Sequence, residues 1–114
     1  MSIRFIFANS IIKRIKRVLT GVIGRKRLVV IGKKPVRAYV IRVMLLFLKH
    51  RVRRVVLRAR GKNISKAVTV AEVVRNRSRG AIDIENIEID TDVIKVGGRK
   101  LYISVIIIIL GLRR

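Results

Sequence analysis

The side chains best able to do chemistry in this sequence are lysines and arginines grouped at two turns. One group comes where an apolar run passes into a helical pattern, and its members are Arg58, Arg60, Lys62 and Lys66. The other, Lys33 and Lys34, lies between Gly32 and Pro35 at an equivalent junction. Lysine and arginine bind phosphate oxygens through charge-assisted hydrogen bonds. Two such turns on one edge predict a groove-sized patch for a polyanion rather than for a small substrate.

The charge balance points to the same class of partner. The formal net charge is +22, from 28 Lys and Arg against 6 Asp and Glu, and no carboxylate precedes Glu72. Such a field repels its own parts unless an anionic partner or counterions neutralise it. Nucleic acid is the leading candidate because of its linear charge density. An anionic membrane surface is the second candidate.

Other residue types exclude several kinds of site. The chain has no cysteine, which removes disulfides, thiol catalysis and cysteine-ligated zinc. His50 is the single histidine, and we interpret it as a surface residue at a helix end. Five later acids have nearly alternating spacing, which predicts either the exposed face of a strand or internal counter-charges for the basic turns: Asp83, Glu85, Glu88, Asp90 and Asp92. We predict no enzyme, no cofactor, no metal and no small-molecule substrate.

Residues 1–27 form a basic extension, and two interpretations stay open for it. Apolar residues from Ile11 to Leu19 have helical spacing beside lysines and arginines, which is typical of a basic amphipathic helix on a membrane or on nucleic acid. The alternative is a frayed or disordered extension, or residues upstream of the true start. No secretory signal is evident, and the longest apolar runs fall short of the roughly 20 residues that span a bilayer. We therefore expect an intracellular, soluble protein.

Residues 28–114 are predicted to form one globular domain, whose first half is a strand, a helix and a strand. Leu28–Ile31 is a short buried strand, and Pro35 suits the first turn of a helix that ends near Lys49. That helix has two apolar faces, one through Tyr39 and Val43 and one through Ala38, Ile41, Leu45 and Leu48, so we expect it to be mostly buried. Arg54–Ala59 is the next strand. Gly61 then turns the chain, and Asn63 is placed to cap the second helix.

The second half predicts a helix and two antiparallel strands. The second helix has a stripe from Ile64 to Val74, and Val70 and Val73 lie off that stripe, which suggests a second buried surface and favours a dimer. Residues 82–90 alternate with a slip at Glu85–Asn86 that a β-bulge explains. Gly97–Gly98 predicts a hairpin turn. The last strand, Ile103–Leu110, is apolar on both faces, so it is either central in the sheet or part of a subunit interface.

Together these elements predict an α/β two-layer sandwich of order βαβαββ. Two helices cover one face of a mixed four-stranded sheet, in which the first two strands are parallel and the last two antiparallel.

Three motifs in this order resemble the Alba family of small basic chromatin proteins, which are abundant in archaea. They span residues 31–36 (IGKKPV), 58–68 (RARGKNISKAV) and 72–77 (EVVRNR), and the resemblance covers about residues 28–114. It implies a fold like the C-terminal domain of bacterial translation initiation factor three. It also implies a cytoplasmic, chromosome-associated protein that binds double-stranded DNA and RNA as a homodimer or as a heterodimer with a paralogue. An RNA-binding role in ribonucleoprotein assembly or RNA stabilisation is the alternative.

The resemblance also assigns residues. Lys33 and Lys34 match the family's paired loop lysines at the nucleic-acid backbone, and Lys33 matches a lysine whose acetylation weakens binding, which implies a deacetylase partner. The other implied nucleic-acid contacts are Arg60, Lys62, Arg75 and Arg77, with Lys95, Arg99 and Lys100 on a hairpin arm that reaches into the minor groove.

Three departures from the family pattern stand out. Ser78 follows the Arg-Asn-Arg motif where many members have an aromatic used to pack dimer against dimer, so we do not predict that contact here. His50 and Arg51 follow the first helix where many members have glycine, so the turn is expected to be built differently. The basic extension 1–27 is not typical of the family.

Overall fold

The computed structural model describes residues 27–113 of the 114-residue chain, and it has the predicted element order. The elements are β1 (Leu28–Val30), α1 (Val36–Leu48), β2 (Arg54–Arg60), a single 3₁₀ turn (Gly61–Asn63), α2 (Ile64–Arg77), β3 (Ile82–Val96) and β4 (Arg99–Leu112). No helix among the described residues is long and apolar enough to cross a membrane. The amphipathic segment predicted around Ile11–Leu19 lies outside the described residues.

The sheet has the strand order β1-β2-β4-β3. β1 runs parallel to β2, with Val29 opposite Leu57, and the N–H of Ile31 donates to the carbonyl of Arg58 at 2.8 Å. β4 is antiparallel to both of its neighbours. The strand that is apolar on both faces is therefore central in the sheet, which decides between the two alternatives that the sequence left open.

The main core lies between the sheet and the two helices. Leu57, Ile108 and Leu110 on the sheet face α1 and α2, and all three are at most 1% exposed. Val70 has no exposed surface and Val73 packs against this same core. The interpretation that these two valines mark a second buried surface is therefore wrong, because the core within one chain already covers them.

The second apolar face of α1 is not buried, contrary to the sequence prediction. Ile41, Leu45 and Leu48 are 56%, 48% and 71% exposed. The face through Tyr39 and Val43 packs into the core instead. Helical periodicity identified both apolar faces correctly, but it carries no information on whether a second layer covers either of them. Ile41, Leu45 and Leu48 therefore form an exposed apolar strip along α1.

The bulge and the hairpin of the last two strands are confirmed. The register of β3 on β4 shifts between Ile84 and Asn86, where the alternation slips. At the bulge, the Glu85 side chain lies over Gly111, so a side chain at position 111 would have to displace it. Gly97 and Gly98 adopt φ of 56° and 78° in the turn from β3 to β4.

Ser78 stabilises the turn between α2 and β3. Its Oγ donates to the carbonyl of Arg75 at 3.0 Å and accepts the N–H of Ile82 at 3.0 Å. The hydroxyl therefore satisfies a carbonyl at the helix end and an amide at the strand start. An aromatic side chain at this position could not make these two bonds.

The turn after α1 uses the left-handed conformation without glycine. Arg51 has φ of 54°, and the N–H of Val52 donates to the carbonyl of Leu46 at 3.2 Å. The expectation of a differently built turn is thus wrong: an arginine adopts the conformation that favours glycine. A side chain with a Cβ pays a steric cost there that glycine does not.

We expect Arg51→Gly to stabilise the domain by about 0.5–1 kcal/mol, the steric relief less the extra chain entropy of glycine. Thermal unfolding followed by circular dichroism should show Tm rise by about 3–5 °C. Arg53→Gly is the matched control, since it removes the same charge two residues away at a position without positive φ. Equal or greater stabilisation by Arg53→Gly would attribute the effect to charge rather than to backbone strain.

Candidate nucleic-acid interface

The parallel pairing of β1 and β2 brings the two basic turns to one end of the sheet. Because the two strands are parallel, their carboxyl ends lie at the same end of the sheet. The basic loop after β1 (Gly32–Pro35) therefore lies beside the turn after β2 (Gly61–Asn63). We call this end of the sheet the loop end and the opposite end the far end. Lys33, Lys34 and Lys62 are all exposed at the loop end. The structure thus brings together three of the predicted binding residues.

Two side chains hold the basic loop in place. The Lys66 ammonium on α2 donates to the carbonyls of Gly32 at 2.6 Å and Lys34 at 2.8 Å. The Tyr39 hydroxyl on α1 accepts the N–H groups of the same two residues, at 2.8 Å and 3.3 Å. Sequence reasoning counted Lys66 among the turn cations and Tyr39 among the helix faces, but assigned neither to the site. Their partners become visible only when the two helices pack together.

The predicted hairpin arm projects from the same end. Arg60, the last residue of β2, pairs with Val105 of β4, so six further residues of β4 (99–104) extend beyond β2 with their partners on β3. At about 3.3 Å per residue this arm reaches about 20 Å past the body of the sheet. It is a two-stranded ribbon with exposed side chains, including Tyr102 at 70% and Val96 at 55%.

The arm tip carries three cations, and two of them lie directly opposite each other on neighbouring strands. Lys95 lies directly across from Lys100, and Arg99 lies across from Val96. Directly opposed like charges destabilise a strand pair. Because cross-strand partners point to the same face, Lys95 and Lys100 share one face of the arm and Arg99 lies on the other. An anion between the two lysines would remove their repulsion.

Both helices direct their N-termini to the loop end. α1 starts after Pro35 and α2 after Asn63, and neither N-terminus has a side-chain capping bond. The predicted Asn63 cap is wrong, because Asn63 has helical φ and ψ of −89° and −2° rather than the extended conformation that capping requires. The uncapped amides and the helix dipoles add positive potential to the same edge.

The acids of β3 lie on the other face of the sheet. The face away from the helices holds Glu88, Asp90 and Asp92, which lie opposite Ile107, Val105 and Ile103 of β4. Asp92 accepts a hydrogen bond from Arg58 at 2.9 Å and lies 3.4 Å from the Arg60 guanidinium. Arg60 therefore stands at the loop end but is partly neutralised on the back of the sheet.

Arg75 and Arg77 do not join the loop-end group. α2 starts at the loop end, and its 14 residues span about 21 Å toward the far end, with both arginines in the last turn. Arg75 is 3.8 Å from Glu72 and 3.9 Å from Asp83. Arg77 is exposed at the same helix end. Arg75 and Arg77 follow the second basic turn closely in the sequence, but the length of α2 separates them from that turn in space.

The carboxylates at the far end act as counter-charges, one of the two roles that the sequence suggested. Glu85 accepts a hydrogen bond from Arg54 at 2.8 Å, and Asp83 is 3.7 Å from Arg113. Within residues 27–113 no group of three acids or histidines has a geometry that could hold a metal ion. Among the described residues, the ion pairs include none of the three loop-end lysines and none of the three cations at the arm tip.

Comparison with known proteins gives a consistent result. A sequence profile of the Alba family matches residues 28–91. The "DNA/RNA-binding protein Alba" of Nanoarchaeum equitans is 44% identical over 81 residues, which cover 68% of this chain and 89% of that protein. The protein of the same name from Pyrobaculum neutrophilum is 40% identical over 84 residues, covering 72% and 90%.

A solved structure agrees with the fold. "Alba from Thermoplasma volcanium" superposes with a TM-score of 0.68 and 34% identity, covering 74% of this chain and 98% of that chain. The matched part of each relative is nearly its whole length, whereas about a quarter to a third of this chain has no counterpart.

Proposed function

The chain belongs to the Alba family, and on that premise we propose that it is an architectural protein that binds double-stranded DNA without sequence preference and acts as a dimer. The family's members compared above are named for binding DNA and RNA, and the chain is a binding protein rather than an enzyme. Its place would be on the chromosome in the cytoplasm.

The observation that carries this proposal is the grouping of cations at one end of the sheet. Lys33, Lys34 and Lys62 are exposed there, both helix N-termini point the same way, and the strand acids lie on the opposite face. Phosphate contacts of this kind position a protein on a duplex but carry no base information. The arm adds a ribbon with Lys95 and Lys100 that would follow the minor groove, where architectural proteins bind.

The dimer is supported by the exposed strip on α1. Ile41 and Leu45 line one groove together with Val30 on the outer strand β1, and Lys34, Arg42 and His50 border it. Apolar side chains exposed side by side mark a contact surface. A two-fold axis there buries the strip against its own copy. Because Lys34 borders this groove, the same axis brings the two basic loops together and leaves the arms on the outside.

Lys33 is the residue through which this binding would be regulated. Its side chain is exposed in the middle of the basic loop. Acetylation removes the charge of a lysine and its ability to pair with a phosphate. Modification of Lys33 would weaken binding, and a deacetylase would restore it. Pairing with the same chain or with a paralogue uses the same α1 surface.

A salt series with duplex DNA tests the proposal. We expect log affinity to fall with log salt with a slope of about −5, from three phosphate contacts per protomer in a dimer. Measured by fluorescence anisotropy, the affinity should be alike for duplexes of unrelated sequence. A protein starting at Leu28 should keep a similar slope, since the loop end lies within residues 28–114.

The same assay decides against the alternatives. Loss of all binding in the shorter protein would contradict an interface built on the basic loop and would assign binding to residues 1–27. Tighter binding of structured RNA than of duplex DNA at every salt concentration would favour a role in ribonucleoprotein assembly or RNA stabilisation. If neither polymer binds at moderate salt while anionic vesicles do, both nucleic-acid functions are wrong.

A further inference from the structure

The basic loop is held from both sides by side chains of the two helices. The Tyr39 hydroxyl accepts the N–H groups of Gly32 and Lys34, while the Lys66 ammonium donates to the carbonyls of the same residues. All four distances lie between 2.6 and 3.3 Å. Lys33 is the residue between the two held positions. The loop has no regular secondary structure of its own, so these bonds define its shape.

The two holding groups are themselves fixed by the core. Tyr39 is 6% exposed and belongs to the main hydrophobic cluster on α1. Lys66 is half-buried in the first turns of α2, and the next residue, Ala67, has no exposed surface. The loop is thus tied to two packed helices rather than to other surface groups. A binding element that is ordered before its ligand arrives loses less freedom on binding.

We propose that Tyr39 and Lys66 are positioning residues that pre-order the Lys33–Lys34 loop for phosphate binding. The proposal rests on the nucleic-acid-binding function proposed above. Neither residue contacts the polymer: the Tyr39 hydroxyl is engaged by two amides, and Lys66 directs its ammonium to two loop carbonyls. Both residues act through the loop lysines.

Direct phosphate contact by Lys66 is the competing explanation, and the two differ in measurable ways. A direct contact contributes about 0.9 to the slope of log affinity against log salt, whatever the state of the loop. A positioning role instead makes the effect of Lys66 depend on Lys33 and Lys34. Coupling of this kind is what a double-mutant cycle measures. Tyr39→Phe is the sharper variant, since it removes one hydroxyl and no charge.

The first measurement needs no ligand. In the free full-length protein, Tyr39→Phe should speed the exchange of the Gly32 and Lys34 amide hydrogens by about tenfold or more, as measured by NMR. Tyr102→Phe is the matched control, because it removes the hydroxyl of the exposed arm tyrosine and should leave these two amides unchanged. Unchanged exchange in Tyr39→Phe would overturn the positioning role.

The second measurement is a binding cycle with duplex DNA. Tyr39→Phe and Lys66→Met should each weaken binding by about fivefold in the native background. In a Lys33→Gln/Lys34→Gln background the loss should disappear, and the salt slope of Tyr39→Phe should equal that of the native protein. Equal losses in both backgrounds, or a slope smaller by about 0.9 for Lys66→Met that persists without the loop lysines, would show direct contact instead.

The two experiments distinguish failure of the proposed nucleic-acid-binding function from failure of the positioning role. If the native protein does not bind DNA in this assay, the proposed function is wrong, while the exchange experiment still tests the loop. If the native protein binds and Tyr39→Phe changes neither exchange nor affinity, only the positioning role is wrong. Should Tyr39→Phe lower Tm appreciably, Lys66→Met beside the surface control Lys49→Met supplies the same cycle.

Discussion

Reversing the charge of Lys33 and Lys34 together should lower the affinity for duplex DNA by about 1,000-fold or more at 0.1 M salt. Two phosphate contacts are lost per protomer, which makes four in the proposed dimer, and each is worth about 0.9 log unit under these conditions. The salt slope should fall from about −5 to about −2, since four of six contacts disappear from the dimer. The measurement is fluorescence anisotropy with Lys33→Glu/Lys34→Glu over a salt series.

The control for this experiment changes the net charge equally at the other end of the molecule. Lys49 and Arg53 are exposed at the far end, after α1 and before β2. Lys49→Glu/Arg53→Glu should reduce the affinity only through the weaker general field and leave the slope nearly unchanged. Equal losses from both variants would show that net charge, and not the basic loop, determines binding. A loss confined to some duplex sequences would contradict phosphate contact.

Replacing Ile41 and Leu45 by glutamate should convert the proposed dimer into a monomer. Four carboxylates would then face one another across the proposed two-fold axis, in place of the apolar side chains that form the contact. Sedimentation equilibrium should show the mass fall from twice that of the chain to that of one chain. The salt slope for duplex DNA should drop from about −5 to about −3, because three phosphate contacts remain.

Ile87 and Ile89 provide the matched control. They are 50% and 51% exposed on the edge strand β3, close to the exposures of Ile41 and Leu45 on α1. Ile87→Glu/Ile89→Glu should leave the dimer intact. Dissociation by the β3 variant but not by the α1 variant would move the interface to the other edge of the sheet and place the arms near the axis. A monomeric native protein would exclude the dimer altogether.

The two helix faces show how far periodicity predicts packing. Spacing of 3.6 residues correctly assigned Val43 to one face of α1 and Ile41 to another. It did not reveal that only the first face meets the core, because burial depends on what the rest of the chain places beside the helix. The same limit explains Val70, which lay off the predicted stripe of α2 and is nevertheless fully buried.

Local geometry was predicted best where one residue type satisfies a backbone requirement. The glycines at 97 and 98 predicted the hairpin turn, and the slip at Glu85–Asn86 predicted the bulge. Arg51 shows the opposite case. Its type argued against a left-handed turn, yet it has φ of 54° in the connection between α1 and β2. Tertiary contacts outweigh a local preference of this size.

The sequence by itself determined the strand and helix order, the family and the concentration of cations at the two turns. These properties are local, or they are patterns along the chain. Only the tertiary structure decided which cations act together, since a parallel strand pair joins Lys33 and Lys34 to Lys62 while a 14-residue helix carries Arg75 and Arg77 away. The tertiary structure alone brought Lys66 and Tyr39 to the basic loop. Lys66 binds the carbonyls of Lys34 and Gly32, which precede it in the chain by 32 and 34 residues.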